Sequence, residues 1–217
     1  MRRTMAKASL YTALNLLFFA LIGTAVLALT HELTREPIAR SEESEKLKLI
    51  NQIAPASDYD NDIIKDSRQL AADDLLGSDD TTVAYIGQLK DRPSIAVIQA
   101  TAPDGYGGSI RLIVSIRSDA EGNGKIGGVR VISHNETPGL GDYIEIAKSK
   151  WITIFNRKSL DDPGEDGWKV KKDGGTFDYM AGATITPRAV VTAVHRVLQY
   201  YAQHRDELFK QNEGVRK

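Results

Sequence analysis

Two threonines, Thr184 and Thr186, flank Ile185 between the small residues Ala181-Gly182-Ala183 and Pro187. Threonine is a good helix cap and proline suits the first helical position, so this spacing predicts a helix with Thr186 as N-cap and Pro187 opening its first turn. The backbone N–H groups of such a helix point back toward Ala181-Gly182-Ala183-Thr184, where they can hold a phosphate. The small side chains leave room around the Thr184 hydroxyl, and a phosphate ester formed there would be stabilised by the helix end. The same pattern equally suits a plain cap, with Thr184 doing no more than close the helix.

Half of the glycines, nine of eighteen, fall between Asp104 and Gly141, in DGYGG, EGNG, IGG and PGLG. Glycine allows positive φ and close approach to the backbone, so these loops are candidates to cradle a flat or phosphorylated molecule. EGNG reads as hairpin-turn chemistry. DGYGG and TPGLGD follow strand-like runs and hold more glycine than a two-residue turn requires. Beside them, His134 is either a ligand contact or a loop histidine satisfied by backbone, and Tyr179 and Met180 either stack on a ring or belong to the core.

The elements that must position these residues are legible from hydrophobic period. Residues 81–89, 94–102, 109–119 and 126–136 are short β-branched runs, and DAEGNGK joins the last two as a hairpin, which together predict an antiparallel sheet. IEIAKSKWITIF (144–155) reads as helix and WKVKKD (168–173) as a further strand. From Pro187 onward Val190, Val194, Val197, Leu198 and Tyr201 share one face of a long final helix. Upstream, 31–54 reads as a linker becoming an amphipathic helix that Pro55 ends, and 58–80 as loop. The fold class is α+β.

Composition narrows the chemistry. With 41% hydrophobic residues, 26% charged and a net charge of -1, nothing marks a nucleic-acid binder. The absence of cysteine excludes disulfides, thiolate zinc, cysteine-ligated iron–sulfur clusters and thioether haem. The four histidines are spread over separate segments or stand nine apart, which is poor metal-ligand spacing. Redox chemistry in this chain therefore needs an organic cofactor. Ala8 to Thr30 carries no charge over 23 residues, about 35 Å as a helix, long enough to cross a bilayer and longer than a cleaved export signal needs. Arg2, Arg3 and Lys7 precede it, which predicts a cytoplasmic N-terminus at 1–7, a span at 8–30 and everything later outside the cytoplasm.

Asp178 to Thr184, DYMAGAT, resembles the flavinylation motif of FMN-binding domains, with Asp178, Gly182, Ala183 and Thr184 matching and Ala181 standing where that family often has serine or threonine. HNETPGLGDYI and DGYGG also resemble segments that surround the flavin there. With its single N-terminal span and its length, the whole chain is similar to the G subunits of the Rnf (Rsx) ion-translocating oxidoreductases. The resemblance implies an electron-carrying component of a redox-driven translocase in the cell inner membrane, with an FMN-binding domain over 81–211 on the periplasmic side. That domain would follow a linker and helical region over 31–80 and precede a tail at 212–217. It implies FMN held by a phosphoester on Thr184, placed there by a separate flavin transferase. Gly182 and Ala183 would shape the phosphate pocket and Asp178 serve recognition by the transferase. Glu136, Thr137, Gly139 and Leu140 would line the flavin, faced by Tyr106 and Gly107. The other membrane subunits of the complex would be its partners.

Two further readings share these features. The C subunit of the sodium-pumping NADH:quinone reductase has the same fold and threonyl flavin but is usually longer. A membrane-anchored binding or assembly module would keep the fold without the flavin.

Overall fold

The structure is a computed structural model that describes residues 2–118 and 124–210. By chain contacts it divides into two units, residues 1–47 and 48–217. The first is helical. Helix α1 runs unbroken from Arg2 to Ile53, so its last turns belong to the second unit. The linker expected from His31 is helix instead, even through Pro37. Glu, Lys, Arg and Leu dominate 32–50, and these are strong helix formers whatever their charge. Within α1, Leu10–Thr34 is long and apolar enough to cross a membrane.

The second unit is built on a five-stranded antiparallel meander in the order β1-β2-β3-β4-β5, comprising Ser67–Leu70, Thr82–Leu89, Arg92–Gly105, Gly108–Ser118 and Gly124–Ser133. The four expected strands are present in the expected antiparallel pairing. The turn expected in DAEGNGK lies largely at 119–123, outside the described residues. Strand β1 falls in the stretch expected to be loop. Only Leu70 of its four residues is buried, too little for an apolar period to register.

Alternation along the strands divides the sheet between two cores. Ala84, Ile86, Ala96, Ile98, Leu112 and Val114 face one side, where they meet helix α2, Ile185–Phe209. Tyr85, Ile95, Val97 and Ile113 face the other, where Ile50, Ile53 and Ile63 cover them. Strand β3 is therefore buried on both faces, which is why its sequence is a near-continuous apolar run. On α2, Val190, Val194, Val197, Leu198 and Tyr201 are all buried, as their spacing requires. Each buried valine or leucine contributes about 1.5–3 kcal/mol, enough to fix this helix, and with it residues 184–186, against β3.

Between β5 and α2 the chain is mostly irregular. The helix expected over 144–155 is replaced by 3-10 turns at Asp142–Ile144 and Trp151–Phe155. Five β-branched residues, Ile144, Ile146, Ile152, Thr153 and Ile154, disfavour an α-helix there. The strand expected over 168–173 is a single bridge, Val170 to Phe177, followed by a 3-10 turn that Gly174 ends at φ +85°. What holds this region is a cluster of rings. Tyr143, Trp151 and Phe155 follow one another edge to face at 5.3 and 5.5 Å between centroids. Trp168 and Phe177 lie 4.9 Å apart against Phe155.

Candidate functional site

That ring cluster pins the loop carrying Thr184. Trp151 donates its indole N–H to the Asp178 carbonyl at 2.7 Å, and the Met180 N–H donates to the Tyr143 hydroxyl at 3.3 Å. Burial pushes the Tyr143 phenol up to about 12, against the smaller opposing effect of the Met180 bond, so the ring stays neutral. Ala183 then donates back to the Met180 carbonyl at 3.1 Å, closing a turn whose third residue, Gly182, has φ +89°. That is the position in a type II turn where glycine is needed.

Directly after this turn α2 begins at Ile185, two residues earlier than the Thr186-Pro187 pair suggests. Thr184 occupies the cap position but makes no side-chain capping bond, and it is half-buried. Its hydroxyl is thus not committed to closing the helix. The N–H groups of Ile185 and Thr186 beside it have no intrahelical acceptor, as at every helix start. Thr186 is not the N-cap. It lies inside the first turn, 1% exposed, and its hydroxyl donates to Glu136 Oε2 at 2.5 Å.

Thr184 opens on a concave pocket with an empty volume of about 450 Å³ including its open mouth. Of the residues singled out in the sequence, Thr184, Gly182, Ala183, Glu136, Thr137, Leu140 and Tyr106 line it together, although they come from three separate loops. Gly107, Gly139 and Asp178 do not. Gly107 lies behind Tyr106 in the β3–β4 turn, where a Cβ would fall 2.0 Å from the Asn135 carbonyl oxygen. Gly139 has φ +76° in a turn closed by Leu140 and Gly141 donating to the Thr137 carbonyl, and its N–H is held by Asp142 Oδ1 at 2.8 Å. Asp178 is exposed and paired with Lys171 at 2.5 Å.

Sequence reasoning misses Gly141, Ile185 and Thr186 as lining residues. Nothing in the sequence separates an outward Ile185 from its buried neighbours. His134 does not face the pocket. Its Nδ1 accepts from the Glu136 N–H at 2.9 Å, and its Nε2 meets Glu145 Oε1 at 2.6 Å. Tyr179 and Met180 are not core residues either, at 37% and 40% exposed. With Tyr106, Leu140 and Ile185, which line the Thr184 pocket, they make up five of the six exposed large apolar side chains described in the second unit. Such an apolar collar marks a binding surface.

Residues 105–199 match the family model of the FMN-binding domain, and residues 3–53 match that of the RnfG N-terminal region. Over 209 residues the chain is 44% identical to the G subunit of the ion-translocating oxidoreductase complex of Pseudomonas aeruginosa (strain UCBPP-PA14), covering 96% of each. It belongs to the family of G subunits of ion-translocating oxidoreductase complexes. The family member of Aliivibrio fischeri (strain MJ11) is 43% identical over 208 residues, 96% of this chain and 95% of that one. That of Vibrio cholerae serotype O1 (strain M66-2) is 44% identical over 198 residues, 91% and 92%. The FMN-binding match begins at Gly105 and takes in every residue lining the pocket. The cofactor of the domain is FMN, and the pocket fits it. An uncommitted hydroxyl at a helix N-terminus suits a phosphate, the collar suits an apolar ring, and the turn at Gly182 presents backbone rather than bulk.

Proposed function

We propose that Thr184 Oγ1 carries FMN as a phosphoester and that the chain relays electrons through that flavin within an ion-translocating oxidoreductase complex. The observation that carries this is the Thr184 hydroxyl itself. It is half-buried, free of a capping bond, and placed where the N–H groups of Ile185 and Thr186 and the apolar collar converge. Gly182 and Ala183 would leave space for the phosphate, and its charge would be favoured by the helix dipole, by about 0.3–1 kcal/mol at a surface site. Tyr106, Leu140 and Ile185 would pack on the ring and keep water from it. When bound, the flavin supplies the redox chemistry; the protein supplies position and electrostatics. Asp178, exposed and paired with Lys171, would serve recognition by the flavin transferase that would attach the cofactor. Leu10–Thr34 would anchor the chain in the inner membrane with the flavin domain on the periplasmic side, because Arg2, Arg3 and Lys7 precede the span.

Valine is nearly isosteric with threonine and cannot form the ester. With the transferase co-expressed, Thr184→Val is expected to abolish covalent FMN, read as loss of the FMN mass from the tryptic peptide and of in-gel flavin fluorescence after denaturation. FMN retained on the Thr184→Val chain would overturn the assignment.

A further inference from the structure

Two of the clustered glycines make room for a single carboxylate, and a third holds it. A Cβ on Gly105 would come within 2.7 Å of Glu136 Oε1, and one on Gly141 within 2.7 Å of Glu136 Oε2. The third, Gly107, donates its N–H to Oε1 at 3.0 Å, while Thr186 donates its hydroxyl to Oε2. Glu136 is 4% exposed and forms part of the pocket lining beside Thr184. Both donors are neutral, and none of the residues lining the pocket is basic. Burying a carboxylate without a cation is costly. A glutamine of the same shape would accept from Gly107 and donate to Thr186 without that cost. Hydrogen bonding alone therefore does not account for an acid here.

We propose that Glu136 is a fixed negative charge at the floor of the flavin pocket that lowers the flavin's reduction potential. This deepens the reading of the pocket as an FMN site and rests on it. Each electron passed from a redox partner to the flavin oxidises that partner by one and adds one negative charge to the pocket, unless a proton enters from solvent with it. A carboxylate held in the same low-dielectric pocket opposes that charge, and with an effective dielectric constant near 20 it acts across the width of such a site. The two neutral donors fix its place without cancelling its charge.

The test is the midpoint potential of flavin-loaded full-length protein carrying Glu136→Gln or Thr186→Val, each first checked by mass spectrometry for FMN on the Thr184 peptide. Glu136→Gln removes the charge and keeps the shape; Thr186→Val keeps the charge and removes one bond. The expected result is at least tenfold more reduced flavin at a fixed poise for Glu136→Gln, a positive shift of about 30 mV for a two-electron couple, with no comparable rise for Thr186→Val. An unshifted Glu136→Gln potential, or equal shifts in both variants, would overturn the proposal. Should Glu136→Gln not fold, Glu136→Met, which also removes the charge, is read in its place: the same positive shift is expected, and an unshifted potential overturns the proposal. Absence of FMN from the wild-type peptide overturns the site reading and this inference together.

Discussion

Replacing Thr186 with valine separates a buried hydrogen bond from a surface helix cap. Thr186 is 1% exposed, its acceptor Glu136 is 4% exposed, and the bonded oxygens lie 2.5 Å apart. Valine fills nearly the same volume, so no cavity opens and the loss is the bond itself. A hydrogen bond to a charged acceptor contributes about 1.5–3 kcal/mol, and here the carboxylate oxygen left behind is out of reach of bulk water. In a unit of about 170 residues each kcal/mol moves the melting temperature by about 2–4 °C, so a loss near 2 kcal/mol lowers it by about 4–8 °C. Thermal unfolding followed by circular dichroism reads this directly. Thr186→Ser keeps the hydroxyl and should recover most of the loss. Thr186→Asp is the sharper discriminator: aspartate is among the best N-caps, yet here it sets a second carboxylate against a buried one and should prevent folding. The reasoning fails if Thr186→Val melts within about 1 °C of wild type, if Thr186→Asp is tolerated, or if the losses of Thr186→Val and Glu136→Gln simply add in a double-mutant cycle.

Gly107→Ala should be far more damaging than Gly139→Ala, since a Cβ on the first falls 2.0 Å from backbone oxygen whereas a Cβ on the second meets nothing within 4 Å. Gly139→Ala then carries only its left-handed backbone cost, about 1–2 kcal/mol, and denaturant titration of both variants checks the order. Because burial raises the Tyr143 phenol to about 12 from its ordinary value near 10, the folded state retains a proton that the unfolded chain releases. Tyr143's contribution to stability is therefore complete below pH 10 and lost as pH rises toward 12, and urea midpoints between pH 9 and 11.5 should fall less steeply in Tyr143→Phe. An alkaline phosphatase fusion at the C-terminus should be active if the flavin domain is periplasmic; an inactive fusion beside an active cytoplasmic reporter at the same point refutes that topology.

Strands β2 to β5 and helix α2 can be read from the sequence because each buries one face, or two, at a regular period. The stretch from His134 to Ala183 cannot, because its order comes from rings and side-chain bonds far apart in sequence. No local pattern announces that Trp151 holds the Asp178 carbonyl, or that Tyr143 holds Met180. The site is half legible for the same reason. Small residues before a helix start point to Thr184, and Tyr106, Thr137 and Leu140 do line its pocket. Thr186 misleads because Pro187 suits the first helical position so well; the helix instead starts at Ile185, leaving proline at the third, where an N–H has no intrahelical acceptor in any case. The glycines look like ligand loops in the sequence, yet Gly105 and Gly141 give way to Glu136, and Gly127 and Gly128 to the end of α1.

The docking of α1's end also sets where the folded domain can be cut. Ile53 sits where a Cβ on Gly128 would be, 2.7 Å from the nearest side-chain atom, and the buried Ser115 hydroxyl donates to the Ile53 carbonyl at 2.7 Å. Ile50 and Ile53 thus act as a plug for the second face of the sheet. A soluble fragment begun after Pro55 would bare Ile95, Val97 and Ile113 to water, whereas one begun at Lys48 keeps them covered. The border of the folding unit lies inside a helix, well beyond the last residue of the apolar span, and a protease that released the domain near the membrane would leave its fold whole.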